Sequence, residues 1–531
     1  MSSAVKAILR ANRPPGPPGR ADKYLTDIAQ DLRSLLEKTQ RQFTDRSGVW
    51  PAEHLSDLAA VLVEFGEDIH CGCGLWRSLE DYNREIFGEP LPVAAAANPA
   101  DTPSGFDPRR IHHLIWTLWM AEDVPGLPGP GHSNLVQLSK AAGAFLTERF
   151  ARLPTDSGVK NFLAGPSTFG WDVKRKLIWL GAKSYLLRWA FNGYLVENEE
   201  ERGNVGVVDD FVCQQSTVWS GLGAIDILAG ALDLPAEDRA TLRSWYERHA
   251  AFYRVVSRQD RGEETGHLVA RNIVNGQPYN IRMNMPRCPF QPGMVVFGSL
   301  APWRGEWYWS GEQRLIESVP EHDEAKLRGG MLERQPGIAY RFCPAEAAQA
   351  RELNRQQHAS FVAWFGGDLA TYPDALAFAA EEQKRLEASW RTAEPEQVRR
   401  MMRERGLDKP RPSMRFPRDF LDHDQGIGVF YNPDEGQEIM PSFNHVLSGL
   451  RKQGAGLSEL EPEALRHFIT HEVVSPAFVR RLVRDHGAAS LLEVFHLREM
   501  PPERALSFLL RCHKGAFYRH RYPTLGFARG G

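Results

Sequence analysis

From Tyr24 the apolar residues Leu25, Ile28, Leu32, Leu35 and Leu36 recur at the spacing of one helix face, which predicts an amphipathic helix to about Gln42. A second helix is expected over 52–65. Ile111, Leu114, Ile115 and Leu118 form another stripe, and a further helix is expected over 134–150. The stretches 171–196 and 214–234 are apolar nearly all round, the pattern of helices packed on every side. Within the second, Gly221, Gly223 and Ala224 leave room for a neighbouring backbone to approach. An amphipathic helix over 236–256 closes this region.

The period changes after Asp260. Residues 267–274, the dipeptide Asn275-Gly276 and residues 278–283 predict a β-hairpin, because Asn-Gly accepts the positive φ of a tight type I′ turn. A strand over 290–300 is entered through Pro292-Gly293, and the turn Pro302–Gly305 leads to a second over 306–316. Short strands are also expected at 338–342, 361–365 and 369–372, the last two joined by Gly366-Gly367-Asp368. Helices return over 374–390 and 396–405. An acidic loop, 422–436, then precedes a C-terminal helical array. In that array Ser475-Pro476 supplies an N-cap and first-turn proline for a helix to His486, and Gly487 is placed to end it. Pro501-Pro502 opens the last helix, which stops near Gly515.

These elements predict an α+β fold: a mainly α-helical multidomain protein with a small central antiparallel β-barrel or sheet. The expected segments are a disordered basic Pro-rich tail (1–20), an N-terminal helical segment (21–90), a linker or surface loop (91–107) and a central helical domain (108–257). A small β domain (258–372), helices with the acidic loop (373–440) and a C-terminal helical array with a basic end (441–531) follow. No repeat period is present, which disfavours a solenoid.

Composition narrows the class without naming a function. The 64 Lys and Arg nearly balance 67 Asp and Glu in 531 residues, and collagen-like, disulfide-stapled and wholly disordered chains are excluded. Six scattered cysteines are too few for a disulfide framework. The first twenty residues lack the apolar core of a secretory signal. Lys183, Arg188 and Asp226 interrupt the most apolar helices, so membrane spans are not expected and the expected location is cytoplasmic. The net charge of −3 hides an asymmetry. Residues 1–20 carry Lys6, Arg10, Arg13 and Arg20 with no acid, and residues 504–531 carry six cations with no acid, leaving an acidic body between them.

Several residue groups carry candidate chemistry. In the Trp-rich hairpin, Trp303-Arg-Gly-Glu-Trp-Tyr-Trp-Ser-Gly311, strand geometry puts Trp307 and Trp309 on one face and Glu306, Tyr308 and Ser310 on the other. Trp303, Trp307, Tyr308 and Trp309 can act as a stacking platform for bases, sugars or a cation, or fill a small β core. The Pro-Gly, strand, turn, Trp layout is similar to that of SH3-like barrels, an analogy of fold that identifies no ligand. His70, Cys71 and Cys73 are weak metal candidates: C-x-C is tighter than the usual zinc pair, and a second pair is missing nearby unless Cys512-His513 supplies it. His467 and His471, with Glu472, lie one helical turn apart but away from the apolar stripe, and the order is not that of a zincin.

Asp422, His423 and Asp424, with Asp434 and Glu435, make a loop dense in acids, able to hold a divalent cation or supply paired carboxylates. The C-terminal end interleaves Lys514, Arg519 and Arg521 with Phe517, Tyr518, Tyr522 and Phe527, and Arg480, Arg481 and Arg484 add a basic strip. Such a pattern suits a phosphate backbone with stacking bases, or docking on the chain's own acidic body. Phosphate-loop, dinucleotide and nucleophile-elbow motifs are absent and no cofactor is expected. The leading expectation is a non-catalytic intracellular interaction protein with a protein partner, contacting RNA or a nucleoprotein complex through the β domain and basic end. The alternatives are a metal-dependent hydrolase or nuclease using the acidic loop, and a structural assembly subunit.

Overall fold

The computed structural model describes residues 2–94, 103–121, 128–198, 204–261, 265–283, 289–316, 319–392, 396, 399, 414, 416–519 and 522–527. Helix makes up 57% and strand 12%, so the fold is mixed and dominated by helices. The chain divides into two compact units: residues 1–344 with 499–520, and residues 345–498 with 521–531. No helix among the described residues is long and apolar enough to cross a membrane.

The first unit begins with α1 (Ser2–Asn12), α2 (Asp22–Gln40), α3 (Leu55–Cys71) and α4 (Leu75–Phe87). α3 sits at the centre, with almost every residue from Leu55 to Asp68 buried. It ends where Gly72 takes a left-handed φ of 69° and closes the last turn. The Asp68 carboxylate then accepts the backbone N–H groups of Gly74, Leu75 and Trp76, at 2.7–3.1 Å, and so starts α4. Where a disordered tail was expected, α1 is helical with Val5 and Leu9 buried. Only the Pro-Pro-Gly run after it is non-helical, because proline removes the donors a helix needs.

α5 (Pro108–Ala121) packs on α6 (Ser133–Phe150), and α6 packs on α2. α7 (Gly158–Ala164) and α8 (Gly170–Lys183) follow, then α9 (Arg188–Glu197), α10 (Val205–Gln214), α11 (Ala224–Ala231) and α12 (Ala236–Arg243). The two long apolar stretches are each broken. α8 and α9 are separated at 184–187, and residues 215–223 form a loop in which Gly221 has φ 75°. A Cβ at Gly221 would lie 2.4 Å from the Arg511 carbonyl oxygen, so glycine there admits the C-terminal helix, residues 502–513.

The sheet of this unit contains β1 (Ala250–Arg261), β2 (Thr265–Asn272), β3 (Pro278–Arg282), β4 (Val295–Trp303), β5 (Glu306–Trp309) and β6 (Arg314–Ile316). Its order is β1-β2-β3-β5-β4-β6, and β1 also pairs with β4. The hairpin is present, with β2 and β3 paired antiparallel, but its turn is not the tight type I′ expected. Gly276 has φ 74° while Asn275 does not take a positive φ, and residues 273–276 form a four-residue loop closed between Asn272 and Gln277. β3 and β5 pair parallel, so the sheet is mixed, not antiparallel as expected. β1 occupies much of the region expected to continue a helix to 256. Ala251, Tyr253 and Val255 are buried and the residues between them face outward, a period of two. The expected strand 306–316 is two strands, broken at Gly311, where φ is 86°. The segment 338–342 is largely a 3-10 turn, and 361–365 is the end of a helix.

The second unit contains α14 (Pro344–Phe365), β7 (Leu369–Tyr372), α15 (Ala375–Thr392), α16 (Arg418–Leu421), β8 (Ile427–Asn432), β9 (Gly436–Pro441) and α17 (Phe443–Arg451); α13 (Glu324–Arg334) precedes them in the first. α18 (Glu461–Thr470), α19 (Pro476–His486) and α20 (Ala489–Val494) follow, and β10 (Thr524–Phe527) returns after α21 (Pro502–His513) of the first unit. The sheet order is β10-β9-β8-β7, with β10 parallel to β9. The helix expected over 396–405 lies largely outside the described residues. The acidic segment is not a loop throughout: β8 and β9 form a hairpin, and every residue of both is buried. Ile427, Val429 and Tyr431 join a core with Phe361 and Phe378, while Phe430 on the other face stacks on Phe478 at 4.9 Å. A strand covered on both faces reads as a continuous apolar run without alternation.

Candidate functional site

The antiparallel register of β2 and β3 sets His267 directly opposite Arg282, and the parallel register of β3 and β5 sets Arg282 beside Tyr308. Glu306, two residues along β5, joins them. Its carboxylate receives Arg282 Nη1 at 2.9 and 3.2 Å, lies 3.1 Å from His267 Nε2, and accepts the Tyr308 hydroxyl at 2.8 Å. The three ionic side chains are 16–27% exposed, so the cluster is neither core nor freely solvated. The start of α8 supplies its aromatic wall. Phe169 stacks on Trp171 at 5.1 Å, Trp171 meets Tyr308 edge-on at 5.0 Å, and the Arg282 guanidinium lies 4.6 Å from the Phe169 ring centre. This approach needs Gly170, where a Cβ would stand 2.7 Å from the Tyr308 ring.

Burial alone would raise the Glu306 pKa, but Arg282, His267 and Tyr308 together hold it below the ordinary glutamate value. Burial and the neighbouring carboxylate push the Tyr308 phenol upward, so it stays a proton donor. The result is an anion held by a cation, an imidazole and a hydroxyl, beside two half-buried aromatic rings.

Two other polar groups lie deeper in the same unit. A cavity of about 20 Å³, room for one water molecule, is lined by Arg13, Glu64, Glu67, Asp68, Trp179 and Tyr185 among others. Arg13 bridges Glu67 and Asp22, and Arg188 pairs with Glu64. Burial raises the pKa of both Glu64 and Asp68, against the opposing pull of their partners. The second group is Asp209, which pairs with Lys174 and Arg248 and accepts the Ser310 hydroxyl at 2.9 Å.

The residues singled out from sequence are placed as follows. Trp303 is fully buried and donates its Nε1–H to the Ser167 carbonyl. Trp307 packs at a steep angle against Tyr279 and Phe342, and Trp309 against Tyr253 and Phe290, and both are half-buried against the sheet core. Lys514 is buried, and Arg519 is held by the carbonyls of Gln215 and Gly221 and by Asp226. Tyr518 lies 3.8 Å beneath the Arg511 guanidinium. Arg521 lies outside the described residues. Arg481 pairs with Asp368 and Asp485, while Arg480 and Arg484 are exposed on the same helix.

The acidic group is not brought together. Asp422, His423 and Asp424 precede β8, and Asp434 and Glu435 follow it, six strand residues away, or roughly 20 Å at the rise of a strand. Glu435 is buried and binds the Asn432 amide, whereas Asp422, Asp424 and Asp434 are exposed. His70 Nε2 lies 3.0 Å from the Leu153 carbonyl, and Cys73 Sγ lies 3.9 Å from the Ser157 hydroxyl. Burial raises the Cys71 thiol to about 11, well away from the thiolate a metal needs. The rings of His467 and His471 lie 4.8 Å apart, and His471 Nδ1 accepts the Val473 N–H. Among the described residues, no group of three or more His, Cys, Asp or Glu side chains is arranged to hold a metal ion.

Sequence reasoning reached Tyr308 and Glu306 but missed His267, Arg282, Phe169 and Trp171. The hairpin put His267 and Arg282 on neighbouring strands, but the pairing that sets them opposite one another comes from a four-residue loop, 273–276, closed between Asn272 and Gln277. A two-residue Asn-Gly turn would set His267 opposite residue 284. Nothing local ties residues 169–171 to a strand more than a hundred positions away.

Residues 15–200 match a family model described as a protein of unknown function (DUF3843), about a third of the chain. That segment includes Phe169, Trp171 and the cavity carboxylates, but none of the strands. Neither the curated proteins nor the solved structures contain a match.

Proposed function

We propose that this is an intracellular, non-catalytic interaction protein that binds a segment of a protein partner against the Glu306, His267, Arg282 and Tyr308 cluster and its Phe169–Trp171 wall. The observation that carries this reading is the cluster's composition and partial burial: Arg, Tyr and Trp side chains, held rigidly yet in reach of solvent, dominate the energetics of protein interfaces. The pairings β1-β2-β3-β5-β4 and back to β1 support a small closed barrel as the scaffold that fixes it. Free buried thiols at Cys71, Cys73, Cys213, Cys343 and Cys512 support a reducing compartment. A polypeptide is favoured over RNA because Arg504, Arg511, Lys514 and Arg519, which would meet a phosphate backbone, are buried or engaged within the first unit.

The test is a photo-crosslinking amino acid placed at Trp171 in one variant and at the exposed Tyr24 in another, in cells. The expected result is a discrete polypeptide adduct at 171, absent at 24 and lost when Arg282→Ala is added. Crosslinking to nucleic acid at 171, or equal adducts at both positions, overturns the reading.

A further inference from the structure

Beneath the sheet, α8 and α10 bring Lys174 and Cys213 into direct contact: the lysine Nζ lies 3.4 Å from the cysteine Sγ. Cys213 is fully buried, and the Lys174 side chain is 12% exposed. We propose that Lys174 and Cys213 are a redox modification site, joined by dioxygen through a covalent Nζ–O–Sγ bridge.

Three features of the site suit this chemistry. The two reacting atoms already touch, so closing the bridge needs only the movement of a flexible lysine stem. Asp209 contacts both partners, pairing with the ammonium and standing 4.0 Å from Sγ, and so can receive a proton from either. Asp209 also keeps Arg248 and the Ser310 hydroxyl, so when Lys174 loses its charge no buried carboxylate is left unpaired. Burial lowers the lysine pKa, and the Arg248 cation acts in the same direction, against the opposing pull of Cys213 and Asp210.

The ammonium first releases a proton through Asp209. One amine N–H bond and the S–H bond then break, and one N–O bond and one O–S bond form. One atom of a dioxygen molecule stays in the bridge, and the other leaves as water with the two hydrogens released. Nitrogen and sulfur are oxidised and dioxygen is reduced. Excess dithiol reverses the reaction, returning amine, thiol and water. The bridge would staple α8 to α10, the helix whose Asp209 holds Ser310 at the end of β5 and Arg248 before β1, so it fixes the helices against the sheet.

Purified full-length protein is incubated in oxygen-saturated buffer with and without dithiothreitol, digested without reductant and analysed by peptide mass spectrometry. The expected product is a linked pair of peptides containing Lys174 and Cys213, heavier than their sum by one oxygen less two hydrogens. It disappears with dithiothreitol and in both Cys213→Ser and Lys174→Arg. The linked form is also expected to unfold at a higher temperature than the reduced form. Recovery of Cys213 from the oxygen-treated wild type as free thiol, disulfide, sulfinic or sulfonic acid without the linked pair overturns the proposal, whether or not either variant folds.

Discussion

Arg13 shows how one side chain can hold a buried acidic centre together. Its guanidinium spans Asp22 and Glu67, whose side chains are 13% and 2% exposed. Both anions would be costly to bury without a partner, and the planar fork of an arginine can serve two carboxylates at once. Replacing Arg13 by Ala leaves Glu67 buried and unpaired, with an expected loss of about 3–5 kcal/mol in unfolding free energy from urea denaturation. Arg13→Lys should recover only part of that, because a point ammonium cannot bridge both carboxylates. An Ala variant as stable as wild type would show that the pairing contributes nothing net.

At the scale of elements, the edge of the second sheet depends on the β8–β9 turn. Gly436 has φ 102°, and a Cβ there would lie 2.0 Å from the Thr524 carbonyl oxygen, so only glycine lets β10 run beside β9. Gly436→Ala is expected to cost about 2 kcal/mol locally, roughly a thirtyfold rise in opening of that edge. Hydrogen exchange would show it as lost amide protection in residues 524–527, with the β7–β8 pairing unchanged. Unaltered protection in β10 would contradict the steric argument.

At the scale of the whole molecule, each unit has its own core, the sheet cluster around Tyr253 and Ile281 in one and the cluster around Phe361 and Val429 in the other. Calorimetry is therefore expected to show two unfolding transitions. Glu461 tags the second unit. Burial would raise its pKa, but Lys452 and the Ser448 and Ser458 donors hold it down to about 2, against an ordinary value of 4.5. A depressed carboxylate contributes its full stabilisation above its unfolded value and loses it as pH falls through the folded one. The difference in unfolding temperature between wild type and Glu461→Gln should thus be largest above pH 4.5 and vanish near pH 2, in one transition only. A constant difference across that range would refute the assignment.

The parts of this protein legible in its sequence were those governed by near neighbours. Helical spacing marked α2 and α5, the Asn275-Gly276 turn marked the β2–β3 hairpin, and Ser475-Pro476 marked the start of α19, where the Ser475 hydroxyl accepts the Phe478 N–H. The uneven charge was legible too, but not its use: Arg519 and Asp226 are far apart in sequence and meet only when Gly221 lets the C-terminal helix approach. β8 and β9 were hidden because both faces of their sheet are covered, so the segment read as an acidic loop although its acids lie at the two ends of β8. The cluster at Glu306 needed two strand pairings and the start of α8 to assemble. Periodicity and turn chemistry act over a few residues and are written directly in the chain. Which strands pair, which charges neutralise one another and which aromatics remain half exposed depend on long-range packing, and only the tertiary structure decided them.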